Sequence, residues 1–274
     1  MFEHMIENVI NKKPLIHCIT NYVTVNDVAN MILACHGSPI MADEIEEVED
    51  ITTISDGLVI NIGTLNKTKV ASMIKAGKKA NALNHPVILD PVGAGASHYR
   101  TEVTYQLLKE VKFSVIKGNI TEIKCIALGT RNTSGVDASD IDQIDENNHQ
   151  EVIELSQTLS QQTGAIIVIT GKVDIISNDH LTILGKNGHP MMSNITGTGC
   201  MLSGIIASYV CSHPSKILEA TACAITLMNI AGEIAYQKTQ EMHTGTSSFR
   251  VYLIDQVSLM DETTLKGGMQ IEIQ

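Results

Sequence analysis

Short apolar segments that end in turn residues alternate along this chain with longer segments of helical periodicity. Between the apolar segments, hydrophobic residues recur every three or four positions, which predicts amphipathic helices. This alternation is typical of parallel βαβ units. We therefore predict an α/β fold: a central, mostly parallel sheet with helices on both faces, in three layers. The predicted strands are LIHCIT, PIMA, GLVINIG, PVILDPVG, FSVIKGN and AIIVITG; the helices between them are VNDVANMILACHG, EIEEVEDITTIS, KTKVASMIKAGKKANAL, TEVTYQLLKEV and EVIELSQTLSQQTG.

The pattern changes after AIIVITG. Three short segments, VDIISND, HLTILG and HPMM, are separated by Asn, Asp and Gly, and they predict an antiparallel extension of the sheet. Three long helical segments follow, and we interpret the closing KGGMQIEIQ as a tail. The most polar stretch, ASDIDQIDENNHQ, lies between segments of the same α/β rhythm. We therefore predict a surface loop there and one domain over residues 1–274.

Composition narrows the class of protein. With 43% hydrophobic and 18% charged residues among 274, the chain can bury a sizeable core, which excludes intrinsic disorder. The net charge of -11 disfavours nucleic acid and anionic membranes as partners. No uninterrupted apolar run reaches the ~18 residues needed to span a bilayer. The acid-containing N-terminus resembles no signal peptide, and the six cysteines form no C-x-x-C pair, so we predict a cytoplasmic protein.

The motif NITGTGC precedes an apolar helix. Glycines let a backbone approach a ligand closely, and the free N–H groups of a first helical turn attract anions such as phosphate. Cys200 stands in that turn, where the helix dipole favours a thiolate that could accept a proton from a hydroxyl. The alternatives are an ordinary glycine turn with Thr198 as N-cap, and a small structural cysteine.

Polar or adaptable residues recur where predicted strands end. Ligands of open parallel sheets bind beyond the carboxyl ends of the strands, so these residues predict one shared site. Carboxylates suit Mg²⁺, and a lysine can meet a phosphate oxygen. Individually, Asp90 and Glu122 could equally be a turn aspartate and a helix N-terminal charge. The strand-end residues are Asn21, Met41, Asp90, Lys117 and Thr170, with Glu122 close behind Lys117.

Six ordered motifs together resemble the hydroxyethylthiazole kinases of thiamin salvage, which have the ribokinase-like fold. The resemblance runs from about Leu15 to the helix SSFRVYLIDQV. It implies ATP- and Mg²⁺-dependent phosphorylation of the alcohol of 5-(2-hydroxyethyl)-4-methylthiazole, in a homotrimer with active sites at subunit contacts. The motifs are HCITNYVTVNDVAN, GSPIMADEIEEVED, VILDPVGAGAS, VIKGNITEI, IVITGK and NITGTGCMLSG.

The same resemblance implies roles for individual residues. Cys200 stands where the wider superfamily has an aspartate base, and thiazole kinases share the cysteine. Many members carry Arg where this chain has Lys117. The lysine keeps the positive charge but lacks the guanidinium group that can bind a phosphate through two hydrogen bonds. The implied substrate-binding residues are Asn21, Val23, Met41 and Gly197; the ATP-binding residues are Lys117, Thr170, Thr196, Thr198 and Gly199; the magnesium-associated residues are Asp90 and Glu122.

Three other functions stay open at this stage. A related kinase for a pyrimidine alcohol or a sugar would use the same crevice with different lining residues. A non-catalytic thiazole- or nucleotide-binding regulator would lack turnover. A cysteine hydrolase would need a histidine beside Cys200, which sequence alone cannot place.

Overall fold

The computed structural model describes residues 2–130 and 149–274. Their strands form one nine-stranded sheet in the order β2-β1-β3-β4-β5-β6-β7-β8-β9. The first six are parallel and the last three antiparallel. All six predicted parallel strands are confirmed. The strands are β1 Leu15–Ile19, β2 Ser38–Met41, β3 Gly57–Asn61, β4 Val87–Asp90, β5 Val115–Asn119, β6 Ile166–Thr170, β7 Asp174–Ser177, β8 Thr182–Gly185 and β9 Ile271–Ile273.

Helices cover both faces of the sheet, which confirms the three-layer prediction. Side chains along each strand alternate between two apolar cores: in β3, Val59 enters one core, whereas Leu58 and Ile60 enter the other. The helices are α1 Met5–Lys12, α2 Val25–Ala34, α3 Val48–Ile54, α4 Lys67–Leu83, α5 His98–Glu110, α6 Ile120–Thr130, α7 His149–Thr163, α8 Thr198–Ser212, α9 Ile217–Glu241, α10 Thr246–Ser258 and α11 Glu262–Gly268.

Two predictions for the C-terminal half are wrong. The HPMM segment forms a short 3-10 helix, Pro190–Asn194, because Pro190 has no N–H for a sheet ladder and His189 caps Met191 N. The presumed tail contains β9, which pairs antiparallel with β8. Most of the predicted polar loop, 138–148, lies outside the described residues, and its last two residues begin α7.

Helix α9 is long and apolar enough to cross a membrane by length and composition alone. Its most apolar 18-residue window has a mean hydropathy of 1.4, and 78% of that window is buried inside the protein. Core helices of soluble proteins pass the same test. The burial therefore accounts for the apolar sequence of α9 without a bilayer.

Candidate active site

A cleft of about 410 Å³ opens where the parallel strands end and α8 begins. Parallel strands direct their carboxyl ends to one edge of the sheet, which explains why distant motifs meet there. Ten of the twelve predicted site residues line this cleft; Met41 and Thr198 do not. The lining residues are Asn21, Val23, Thr24, Gly63, Asp90, Val92, Arg100, Lys117, Asn119, Glu122, Thr170, Thr196, Gly197, Gly199 and Cys200.

An ion pair lies on the floor of the cleft. Lys117 Nζ is 3.1 Å from Asp90 Oδ1, and the two side chains are 4% and 1% exposed. Lys117 Nζ also donates to the carbonyl of Gly199 at 2.8 Å. Asp90 Oδ2 accepts from Asn61 Nδ2 at 2.8 Å and from Ser203 Oγ at 2.9 Å. Buried charges are tolerated only when they are paired and hydrogen-bonded, and both charges here meet that condition.

The sulfur of Cys200 faces two amide side chains. Asn21 Nδ2 and Asn61 Nδ2 each donate to Cys200 Sγ at 3.3 Å, and Asn21 Nδ2 also contacts Asn61 Oδ1 at 3.0 Å. The sulfur is thus held as a hydrogen-bond acceptor at the first turn of α8. Among the described residues, no histidine lines this cleft. The orienting partner that a cysteine hydrolase needs is therefore missing there.

Helix α8 begins against the loop that follows β1. Gly197, its N-cap, has φ 87°, and a Cβ at this position would lie 2.5 Å from Thr24 Cγ2. Only glycine fits this backbone and this approach. The alternative with Thr198 as N-cap is wrong, since its hydroxyl donates to the Met192 carbonyl at 3.3 Å. The N–H groups of the first turn of a helix have no hydrogen-bond partner within the helix. In α8 this first turn lies at the cleft, where its N–H groups can bind an anion.

Glu122 ties two loops together at the cleft wall. Its Oε1 accepts from Gly93 N and its Oε2 from Asn119 N, both at 2.8 Å, and Asn119 Oδ1 accepts from Glu122 N at 2.9 Å. This arrangement caps α6, so the interpretation of Glu122 as a helix N-terminal residue is correct structurally. Burial raises the pKa of Glu122.

The carboxylates of Asp90 and Glu122 fit a hydrated Mg²⁺. Each carboxylate has about four lone-pair sites, and the protein contacts leave some of them free. Because Lys117 Nζ lies beside Asp90 Oδ1, direct coordination by that oxygen is unfavourable. Within the described residues, no three His, Cys, Asp or Glu side chains cluster as a metal cage. The donor set therefore suits an ion that keeps water and ligand phosphate oxygens, as Mg²⁺ does.

A second cleft of about 430 Å³ adjoins the first and shares Thr170 and Gly199 with it. Thr198 lines this second cleft. At its base, Asp174 Oδ2 accepts from Asn229 Nδ2 at 2.6 Å and Asp174 Oδ1 accepts from Gly171 N at 3.0 Å. Burial raises the pKa of Asp174 to about 6. The carboxylate fixes the turn after β6 through the Gly171 N–H.

Sequence reasoning missed Arg100, which lines the first cleft, and also Asn61 and Ser203, which contact the cleft residue Asp90. Asn61 ends β3, so the strand-end rule that selected Asp90 also applies to it. Ser203 lies one helical turn beyond Gly199, on the same face of α8. Arg100 donates from Nη1 to the Val92 carbonyl at 2.8 Å and from Nη2 to the Gly63 carbonyl at 2.7 Å. No local pattern singles out this arginine.

Met41 does not line the cleft. It ends β2, the edge strand beyond β1, and its partly buried side chain packs against the core. Its role in substrate binding stays a prediction.

The sequence profile described as "Hydroxyethylthiazole kinase family" matches residues 6–263. The chain is 52% identical over 272 residues to a hydroxyethylthiazole kinase of Clostridium acetobutylicum, covering 99% of each protein. The chain belongs to the hydroxyethylthiazole kinase family. A second relative, the hydroxyethylthiazole kinase of Clostridium tetani, is 51% identical over 253 residues, covering 92% of this chain and 90% of the relative.

Solved structures agree on the fold. The hydroxyethylthiazole kinase of Pyrococcus horikoshii OT3 superposes with a TM-score of 0.87 at 32% identity, over 99% of this chain and 98% of that one. A ribokinase-like superfamily protein from Enterococcus faecalis V583 gives a TM-score of 0.62 at 13% identity, over 92% and 89% of the two chains. This second likeness shows the fold alone. The ribokinase-like α/β prediction is confirmed.

Proposed function

We propose that this protein transfers the γ-phosphoryl group of ATP to the hydroxyl of 5-(2-hydroxyethyl)-4-methylthiazole, as a kinase of thiamin salvage. One observation carries the proposal: a chain of this family places a cationic side chain, a glycine-rich helix start and an acceptor sulfur around one cleft. That combination provides anion binding and a proton acceptor at the same point.

The two adjoining clefts match the two substrates. We assign the thiazole alcohol to the first cleft, beside Cys200, with Asn21, Val23 and Gly197 around it. The nucleotide fits the second cleft, with its phosphates directed to the shared residues Thr170 and Gly199. Thr196, Thr198 and Lys117 flank that junction. This arrangement brings the terminal phosphate to the hydroxyl.

Phosphoryl transfer depends mainly on positioning and charge neutralisation. The alcohol oxygen forms a bond to the γ-phosphorus while the bond to the bridging oxygen breaks and ADP leaves. Lys117 and the first-turn N–H groups of α8 neutralise charge on the transferring group. Cys200 Sγ orients the hydroxyl and, as a thiolate, accepts its proton to become the thiol. Asn21 and Asn61, each 3.3 Å from this sulfur, hold it in place.

Asp90 and Glu122 are the residues that would hold magnesium, through water. When bound, Mg²⁺ supplies charge neutralisation at the ATP phosphates. Asp90 additionally positions Lys117, and Glu122 positions the Gly93 turn and the start of α6.

We also propose one domain over residues 1–274, a homotrimer with sites at subunit contacts, and a cytoplasmic location. One continuous sheet supports the single domain. Val23, which lines the cleft, is 57% exposed, and Tyr22 beside it in sequence is 76% exposed, while Met41 lies outside the cleft; these facts support a site completed by a neighbouring subunit. All six cysteines are free thiols, as in a reducing compartment. The net charge of -11 argues against nucleic-acid or membrane partners.

A substrate panel tests the acceptor. Purified protein with Mg-ATP is supplied in turn with the thiazole alcohol, a pyrimidine alcohol and a sugar, and ADP formation is followed by a coupled assay. The proposal predicts ADP formation at the highest kcat/KM with the thiazole alcohol. Preference for another alcohol would identify a related kinase, and no alcohol-dependent ADP would favour the binding-only regulator.

A further inference from the structure

A buried lysine outside both clefts joins two segments beside the first cleft. Lys69, in the first turn of α4, has a side chain only 9% exposed. Its Nζ donates to the Thr20 carbonyl at 2.8 Å and lies 3.1 Å from Asp43 Oδ2. Thr20 begins the loop 20–24 after β1, which we call the β1 loop. Asp43 ends the segment 42–43 directly after β2, which we call the β2 end.

Because Lys69 is buried, its ammonium group must keep both of its partners. A lysine ammonium is costly to remove from water unless hydrogen bonds and an opposite charge compensate it. The Thr20 carbonyl and the Asp43 carboxylate are the compensating groups, so Lys69 holds both segments at fixed positions. The carboxylate of Asp43 is 57% exposed, which leaves the buried lysine as the fixed member of the pair.

The β1 loop connects the Lys69 bridge to Cys200. Thr20 is bonded in sequence to Asn21, whose Nδ2 donates to Cys200 Sγ at 3.3 Å. Asn21 Oδ1 also accepts from Thr24 N at 3.1 Å, which closes the loop. A shift of the Thr20 carbonyl therefore moves the amide that contacts the sulfur.

The β2 end has a second tie that fixes it relative to β1. His17, fully buried on β1, contacts the Ala42 carbonyl through Nε2 at 2.8 Å and Thr52 Oγ1 through Nδ1 at 3.0 Å. Ala42 is thereby anchored to β1 and α3, while the next residue, Asp43, is anchored to α4 through Lys69. The β2 end forms a rigid support for Lys69.

We propose that Lys69 is a positioning residue for the acceptor side of the reaction. It locks the β1 loop to the β2 end, so that Asn21 and Cys200 meet the acceptor hydroxyl in one geometry. This role rests on the proposed function. Thr20, Asp43 and Lys69 are not among the residues that line the second cleft, so we expect the effect to fall on the alcohol rather than on ATP.

The chain offers a matched control on the same helix. Lys75 Nζ donates to the Ile45 carbonyl at 3.0 Å and lies 3.1 Å from Glu49 Oε2. The bridge has the same chemistry, a carbonyl and a carboxylate, but Lys75 is 40% exposed and does not reach the β1 loop. Lys75→Met removes a lysine bridge without touching the acceptor side.

Steady-state kinetics of Lys69→Met, Lys69→Arg and Lys75→Met tests the proposal, with each substrate varied at saturating levels of the other. We expect Lys69→Met to lower kcat/KM for the thiazole alcohol about tenfold while KM for ATP stays within twofold. Lys69→Arg should recover most of this loss, and Lys75→Met should match the wild type. A Lys69→Met enzyme within twofold of the wild type, or with both substrates equally affected, overturns the role.

A second variant covers failure of Lys69→Met to fold. Asp43→Asn removes the exposed carboxylate and leaves the Lys69–Thr20 hydrogen bond, so kcat/KM for the alcohol should fall about threefold with unchanged KM for ATP. Unchanged kinetics of Asp43→Asn would count against the bridge. A wild type that forms no phosphate ester overturns the proposed function and the role of Lys69 together, whereas an active wild type with unaffected variants overturns only the latter.

Discussion

Lys117 Nζ lies 3.1 Å from Asp90 Oδ1; Lys117 is inside β5, and Asp90 ends the adjacent strand β4. Their charges balance one another before any ligand enters. Two of the three N–H donors of Lys117 contact Asp90 and the Gly199 carbonyl, so one remains for a phosphate oxygen. The aspartate therefore aims the lysine at the start of α8.

Removal of the Asp90 carboxylate should weaken both the fold and the reaction. Asp90→Ala leaves the Lys117 ammonium buried and unpaired, which costs about 3–5 kcal/mol of unfolding free energy. Loss of the aimed cation should lower kcat/KM by about 100-fold or more. Urea unfolding and steady-state kinetics check the two effects.

The control is Glu272→Gln, which breaks the half-exposed ion pair with Lys186. An exposed ion pair is screened by water and contributes little to stability, so this variant should unfold like the wild type and keep its activity. Full turnover by Asp90→Ala would contradict the assigned role of Asp90.

Truncation of Cys200 should slow the reaction without abolishing it. A loose transition state demands little from a base, so we expect Cys200→Ala to lose about 100-fold in kcat, at the lower end of the range for general-base groups. KM for ATP should stay near the wild-type value. Cys125→Ser, which alters a partly exposed cysteine on α6 outside the cleft, is the control. Equal rates for Cys200→Ala and the wild type would remove the sulfur from the mechanism.

Gly197 should tolerate no side chain. In Gly197→Ala, the left-handed backbone at φ 87° costs about 1–2 kcal/mol, and the new Cβ meets Thr24 Cγ2. We expect lower stability and impaired binding of both substrates, since α8 must shift.

Gly245 provides the comparison because it is also a helix N-cap, at α10. Its φ is -110° and a Cβ there would meet nothing within 4 Å. Gly245→Ala should therefore lower the stability much less than Gly197→Ala does, and it should leave the kinetics unchanged. Thermal unfolding and calorimetric ADP titration distinguish the two; equal effects would contradict the steric argument.

Asp174 should make stability depend on pH. Burial raises the pKa of Asp174 from 3.8 to about 6 in the folded protein, so the folded state binds this proton more tightly than the unfolded chain. Its contribution to stability is therefore full below about pH 3.8 and is lost as the pH rises through about 6. The loss amounts to roughly 2–3 kcal/mol.

Asp174→Asn removes this titration while keeping the side-chain shape. The unfolding free energy of the wild type relative to Asp174→Asn should fall between pH 4.5 and pH 7.5, measured by urea unfolding. A difference that does not change with pH would show that Asp174 stays ionised over the whole range.

Local sequence patterns predicted the parallel part of the fold because each buried strand carries its own signal. β9 was missed because its three residues, Ile271, Glu272 and Ile273, gain strand character only by pairing with β8, far away in the chain. Helix α6 was not among the predicted helices, although a helix start at Glu122 was an open alternative, since its apolar residues follow FSVIKGN with only Asn119 to mark the boundary.

The candidate site was predictable to the extent that strand ends identify it. Spacing placed Asp90 and Lys117 in one cleft but could not show their ion pair, which depends on β4 and β5 being neighbours in register. The amide contacts of Asn21 and Asn61 with Cys200 arise from three separate segments. Such convergence depends on tertiary packing, which periodicity does not encode.

The most direct test is mass spectrometry of a reaction that contains purified protein, Mg-ATP and 5-(2-hydroxyethyl)-4-methylthiazole. We expect the thiazole phosphate ester and an equal amount of ADP, and neither beyond background when the alcohol is omitted; Asp90→Ala should form at most about one hundredth as much ester in the same time. Folded protein that binds ATP and yields no ester would contradict the proposed function.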